Sequence, residues 1–139
     1  MKDKVFIDTN ILIYFATDKT EKSEIIVNKL YECEYSFISI QVLNEFNNTC
    51  FKKSLLKPDE IEFAVKEYST MFNVAILNID TILGALRIKQ KYSFSYYDSL
   101  IISTALQNDC KILYSEDMQH LQRFDDKLTI INPFKLRND

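Results

Sequence analysis

Five short apolar runs set among stretches of helical periodicity limit what this 139-residue chain can fold into. The first is Val5-Phe6-Ile7, and the others are Tyr35 to Ile38, Val74 to Leu77, Lys111 to Tyr114 and Leu128 to Ile131. Each is too short for a helix and rich in β-favouring residues, which marks strands buried on both faces. Between them the apolar residues return at helical spacing. Asn10 to Phe15 reads as a short helix, Thr20 to Cys33 as an amphipathic one, and Ile40 to Phe51 as a third, capped by Ser39. Pro58 opens a fourth, with Ile61, Ala64, Val65, Tyr68, Met71 and Phe72 as its inner stripe. Asp80 is placed to cap a helix through Lys91, and Ser95 to Asn108 is apolar nearly all round, so it should be deeply buried. Strands alternating with helices predict α/β: a three-layer α/β/α fold around a central, mostly parallel, about five-stranded sheet, with residues 1–139 forming a single domain.

Composition removes several function classes. Gly84 is the only glycine, so phosphate-cradling loops, dinucleotide fingerprints and nucleophile elbows have no residues to build them. The three cysteines, Cys33, Cys50 and Cys110, are odd in number and set among apolar neighbours, as suits reduced thiols. His120 is the only histidine, and no Cys/His spacing fits zinc. No leader opens the chain and no apolar run approaches the roughly 20 residues that span a bilayer, so no membrane partner is expected and the cytoplasm is the expected compartment. The net charge of −3 argues on its face against a polyanionic partner. That argument weakens if four of the 20 acids are committed to metal ions, because the remaining 16 then face 17 basic residues.

Those four are Asp8 after the first strand, Glu45 on the helix after the second, Asp98 in the first turn of the buried helix, and Asp117 after the fourth strand. Each has a structural reading: Asp8 as a helix cap, Glu45 as a solvated helix acid, Asp98 as half of a capping box with Ser95, and Asp117 as an acid favouring a short helical turn after Ser115-Glu116-Asp117. Together they read differently. The carboxyl ends of parallel strands are where α/β proteins gather ligands. Asp98 stands beside Tyr96, Tyr97 and the apolar Leu100 to Ile102 with no basic residue nearby in sequence, a costly place for an unpartnered charge. Clustered carboxylates repel one another unless a cation joins them, and an oxygen-only donor set selects Mg²⁺ or Mn²⁺.

The order of motifs resembles the PIN-domain ribonucleases, and more closely the VapC-type toxins of bacterial toxin–antitoxin pairs. It runs from the strand ending in Asp8-Thr9-Asn10, through Ser39 with Val42-Leu43-Asn44-Glu45-Phe46, Tyr97-Asp98-Ser99-Leu100-Ile101 and Leu113-Tyr114-Ser115-Glu116-Asp117-Met118, to Ile130-Ile131-Asn132-Pro133-Phe134. The resemblance covers nearly the whole chain. It implies endonucleolytic cleavage of single-stranded RNA by metal-activated water, with one or two Mg²⁺ or Mn²⁺ ions. Asp8 and Asp98 are then central ligands, Asp117 and Glu45 flanking ones, and Asn10, Ser115 and Thr9 supporting polar groups. It further implies a small antitoxin partner and a homodimer. One departure is Gln107-Asn108-Asp109-Cys110, where relatives usually carry a glycine before the fourth strand. For substrate contacts, Lys52 and Lys53, with Lys57, are candidates for phosphates, and Tyr96 and Tyr97 for base stacking. All five also suit solvated surface or core packing. A haloacid-dehalogenase-type phosphatase would need a second acid at Asn10, and a receiver domain paired acids at the first strand. The remaining alternative is a PIN-like metal- or RNA-binding module without catalysis.

Overall fold

The computed structural model describes residues 3–17, 21–33 and 35–136. In chain order it has β1 (Lys4–Ile7), α1 (Thr9–Thr17), α2 (Glu21–Tyr31), β2 (Tyr35–Ser39), α3 (Ile40–Lys52), α4 (Pro58–Met71) and β3 (Asn73–Ala75). There follow α5 (Ile79–Lys91), α6 (Tyr96–Gln107), β4 (Ile112–Tyr114), β5 (Arg123–Phe124), β6 (Leu128–Ile131) and a closing 3₁₀ turn at Pro133–Leu136. No helix among the described residues is long and apolar enough to cross a membrane.

The strands form one sheet in the order β3-β2-β1-β4-β6-β5. Every pairing is parallel except β5 with β6. Central β1 pairs on one side with β2, Phe6 opposite Phe37, and on the other with β4, Phe6 opposite Leu113. The chain therefore winds from β1 out through β2 and β3, then returns to β4 on the opposite side. That reversal leaves a crevice at the carboxyl ends of β1 and β4, where a doubly wound sheet gathers ligands. Val5, Phe6, Ile7, Ile38, Leu113 and Ile130 are buried in the sheet, as continuous apolar strands covered on both faces must be. Phe15 of α1, Phe46 of α3, Tyr68 of α4 and Phe72, which follows α4, join in edge and tilted ring contacts. Buried α6 packs against α5, where a Cβ on Gly84 would stand 2.5 Å from the Ser103 Oγ.

The three-layer fold agrees with expectation, while several details differ. The sheet has six strands rather than about five, because Arg123–Phe124 adds a short antiparallel edge through a hairpin. Its turn is Asp125-Asp126, both with positive φ, closed by Lys127 N donating to Phe124 O at 2.9 Å. Two successive left-handed residues match the twist of a hairpin, but without an Asn-Gly or Asp-Gly pair the sequence hides them. β3 begins one residue early, with Asn73 opposite Phe37, and ends two residues early, because its register against β2 stops at Ala75 opposite Ser39 and Ile76 is exposed to solvent. Asn78, not Asp80, caps α5, its side chain accepting from Thr81 N at 3.0 Å. The helical turn expected after Asp117 does not form; residues 116–118 bend and His120–Leu121 make only a turn. Met71 lies exposed rather than in the inner stripe to which periodicity assigned it. The predicted start of α2 at Thr20 lies outside the described residues.

Helix ends show how a chain with one glycine turns corners. α6 closes with Asp109 at φ 58°, Cys110 N donating to Ala105 O at 3.0 Å and Asp109 N to Leu106 O at 3.1 Å. α3 closes the same way, with Ser54 at φ 53°, Leu55 N on Cys50 O at 2.9 Å and Ser54 N on Phe51 O at 3.3 Å. Both are Schellman motifs, whose left-handed position glycine usually fills. The missing glycine before β4 thus leaves the turn itself intact, with Asp109 in the strained place. Ser54→Gly and Asp109→Gly should each raise stability by about 0.5 kcal/mol, relief of left-handed strain outweighing the added freedom of the unfolded chain. Urea midpoints should rise at unchanged slope, and a fall in either midpoint would contradict the backbone assignment.

Candidate active site

β1 delivers Asp8 to the crevice. Its N–H extends the ladder by donating to Tyr114 O at 3.0 Å, while its carbonyl accepts from Ile11 and Leu12 to start α1. The side chain caps neither of those donors. Instead Oδ1 accepts from Thr9 N at 2.7 Å and Oδ2 from Ser115 Oγ at 2.8 Å, the latter a hydroxyl carried on the end of β4. Asp8 is 6% exposed. Burial pushes its carboxyl up to about 7; the two hydrogen bonds oppose the rise, and the charges of Asp98 and Glu45 add to it.

The other three acids are placed by neighbouring elements. Ser39 ends β2 and caps α3 through Val42 N at 3.1 Å, which sets the second turn of α3, and with it Glu45, over the crevice. Thr9 Oγ1 donates to Glu45 Oε1 at 2.6 Å and Gln41 Nε2 to Oε2 at 3.0 Å. Gln41 Nε2 also donates to Tyr97 O at 3.0 Å, tying α3 to the first turn of α6. Ser95 caps α6 through Asp98 N at 3.1 Å. Asp98 is half-buried, and burial raises its carboxyl pKa first, with Ser95 opposing and Glu45 and Asp117 adding. Asp117 is exposed and accepts from Asn10 Nδ2 at 2.8 Å, while Asn10 Oδ1 accepts from Glu116 N at 3.3 Å.

Asp8, Glu45 and Asp98 therefore feel one another's charge, Asp98 also feels Asp117, and among the described residues none of the four forms an ion pair with lysine or arginine. They converge without closing into a cage: no three His, Cys, Asp or Glu side chains among the described residues form a ready metal-holding group. Thr9, Asn10 and Ser115 each hydrogen-bond an acid. Gln41 is the polar contact that sequence pattern presents as ordinary helix surface. Its i,i+4 spacing from Glu45 is the available signal. Beside Glu45 lies a groove of about 480 Å³ whose lining includes Ile40, Ile76, Leu77 and Tyr97.

The substrate candidates lie further out. Lys52 and Lys53 are exposed at the far end of α3, roughly 10 Å along the helix from Glu45 at 1.5 Å per residue. Lys57 is exposed before α4. Tyr96 is half-buried against the ring of Tyr97 at 5.5 Å, and Tyr97, 63% exposed, is the more open of the two.

Comparison with known proteins agrees with the fold. Solved structures of similar fold include a toxin–antitoxin complex from Klebsiella pneumoniae, at 18% identity and TM-score 0.73 over 94% of this chain and 98% of that one. VapC20 of Mycobacterium tuberculosis, a sarcin–ricin-loop-cleaving toxin, matches at 14% identity and TM-score 0.68 over 82% of this chain and 90% of its own. VapBC2 from Rickettsia felis, bound to a DNA fragment from its promoter, matches at 15% identity and TM-score 0.69 over 91% and 96%. No curated protein matches the chain by sequence. The profile of the PIN domain matches residues 5–127, a span that takes in all four acids, β1 from its second residue, and β2 to β5. The chain belongs to the PIN domain family.

Proposed function

We propose that this protein is a Mg²⁺- or Mn²⁺-dependent endoribonuclease that cuts single-stranded RNA, and that it is the VapC-type toxin of a toxin–antitoxin pair. The observation that carries the reading is Asp8, a buried carboxylate at the sheet's reversal point, crowded by Glu45 and Asp98 with no basic partner among the described residues. Like charges at such range favour protonation of one another, and a divalent cation lets all of them ionise. The donors are oxygen only, which suits Mg²⁺ or Mn²⁺ and excludes a zinc-type site. Asp8 and Asp98 would be the central ligands, and Glu45 and Asp117 the flanking ones, for one ion or two. Bound there, the metal supplies a coordinated water of lowered pKa and neutralises charge on the phosphate. Ser115 and Thr9 hold the Asp8 carboxylate by its two oxygens, Thr9 and Gln41 do the same for Glu45, and Asn10 aims Asp117. Support of this kind fixes ligand orientation before anything binds.

Similarity to toxin–antitoxin complexes, and to a toxin that cleaves the sarcin–ricin loop, supports an RNA substrate and a small antitoxin partner, and the proposal extends to a homodimer. The groove beside Glu45 offers an apolar wall next to the acids.

Three measurements test this reading. Purified protein with a mixed RNA pool should cleave in Mg²⁺ or Mn²⁺ and stop in chelator. Asp98→Asn should lose more than the roughly 10–100-fold typical of a supporting residue while remaining folded. Full activity in that variant, or cleavage in chelator, would sink the proposal; metal binding without turnover on any RNA would favour a binding module.

The second measurement is pH dependence. An acid whose folded pKa lies above its unfolded value gives stability that is complete below the unfolded pKa and lost as pH rises through the folded one. For Asp8 that window runs from 3.8 to about 7. Metal-free protein should therefore lose stability across it, by roughly 4 kcal/mol at ~1.4 kcal/mol per pKa unit. Added Mg²⁺ should restore it by binding only the folded state. Asp8→Asn should flatten the profile, and an unchanged profile in that variant would assign the effect elsewhere.

The third concerns Lys52 and Lys53. Reversing both charges should weaken RNA binding and reduce the slope of log affinity against log salt by roughly 1 in fluorescence anisotropy. An unchanged slope would return both to solvated surface.

A further inference from the structure

Asp117 differs from the other three acids in being exposed, so nothing in its own burial fixes its carboxylate. The residue before it is fastened instead. Glu116 turns its side chain away from the crevice, where Oε1 accepts from Tyr14 OH at 2.7 Å and Oε2 from Lys22 Nζ at 2.8 Å. Lys22 also donates to Tyr14 OH at 3.1 Å, and its ammonium lies 4.6 Å from the Tyr14 ring centroid and 4.9 Å from that of Phe134. The Tyr14 and Phe134 rings meet edge to face at 5.3 Å. The Glu116 N–H meanwhile occupies Asn10 Oδ1, which orients the Asn10 amide so that its Nδ2 donates to Asp117. One residue thus joins α1 and α2 to the amide that aims Asp117.

We infer that Glu116 is a positioning residue that sets the cation affinity of the site through Asn10 and Asp117. This rests on the reading of Asp117 as a cation ligand. A surface ion pair alone contributes about 0–1 kcal/mol to stability, and a purely structural role would end there. Here the Glu116 carboxylate is shared by two donors from different helices, and its side chain is only 27% exposed. Ser115, anchored by its hydroxyl to Asp8, and Asp117, held by Asn10, bracket it in sequence. The chain from β4 is thereby pinned at three successive residues. Losing the side-chain pin leaves the N–H of residue 116 on Asn10 but loosens the main chain that carries it, so the Asn10 amide and the Asp117 carboxylate are held less closely in place. The ordering entropy that was met on folding must then be met on cation binding.

The test is calorimetric titration of Mn²⁺ into RNA-free protein, with thermal melts alongside. Glu116→Ala should weaken Mn²⁺ binding about 10-fold, in the range of residues that orient ligands. Glu116→Gln, which still accepts from Tyr14, should recover part of that loss, and Tyr14→Phe and Lys22→Met should each give a smaller one. The deciding comparison is the Asp117→Ala background, where Glu116→Ala should have no further effect on affinity, because coupled residues are non-additive. Glu116→Ala with wild-type affinity, or an equal loss with and without Asp117, would overturn the inference. If the wild type itself takes up no Mn²⁺, the metal reading fails and this inference with it; if the wild type binds, Asp98→Asn does not, and Glu116→Ala binds as wild type, only this inference fails.

Discussion

Placing Asp8 in the interior, within reach of two further carboxylates, is the constraint around which the rest of this structure is arranged. An ionised carboxylate without a partner is strongly disfavoured in an apolar setting, and burial accordingly pushes Asp8 up to about 7. Two hydrogen bonds oppose that cost, one from the backbone that begins α1 and one from a hydroxyl at the end of β4. The first donor is local, but the Ser115 hydroxyl reaches Asp8 only because β1 and β4 are neighbours in the sheet, so the chemistry of Asp8 depends on the reversal of strand order beside it. Thr9 extends the arrangement to Glu45, and Gln41 extends it again to the main chain of α6. A crowded acidic crevice is thereby held open by neutral donors. In the proposed function the missing positive charge is a divalent cation, which relieves a repulsion that the fold alone tolerates.

The same economy shows in the backbone. Gly84 stands where α5 and α6 approach closely, facing Ser103. The left-handed positions that end α3 and α6 are instead taken by Ser54 and Asp109, both with complete Schellman hydrogen bonds. Aspartate bears the left-handed region better than most residues because its short side chain bonds locally. Strain at these two corners is small beside the apolar burial of the strands, and neither corner carries an acid of the crevice.

Much of this arrangement is legible in the amino-acid sequence alone. The short apolar runs, each followed by helical periodicity, specify a parallel sheet covered on both faces, because only such strands are apolar throughout. Ser39, Pro58 and Ser95 mark three helix starts correctly, since capping is a local hydrogen bond between residues close in sequence. Asp8, Glu45, Asp98 and Asp117 stand out because charge at a strand end or on a buried helix has no local partner. Where several local solutions compete, residue type does not choose among them. Asn78 and Asp80 are both good caps two residues apart, and the hydrogen bond to Thr81 selects Asn78. The Asp125-Asp126 hairpin that adds β5 lacks the glycine by which such turns are recognised.

By itself, then, the sequence determined the layers, three of the helix starts and the four candidate acids, because each follows from periodicity or from contacts within a few residues. Only the tertiary structure decided that Gln41 braces Glu45 against α6, that Asn10 spans Glu116 and Asp117, and that Tyr14 and Lys22 hold Glu116. Most of those contacts join residues roughly 60 to 110 positions apart. No local pattern encodes such a pairing. It arises when the β1–β4 pairing and the packing of α1, α2 and α3 bring distant side chains to one end of the sheet, and geometry there, not residue type, selects which of them touch.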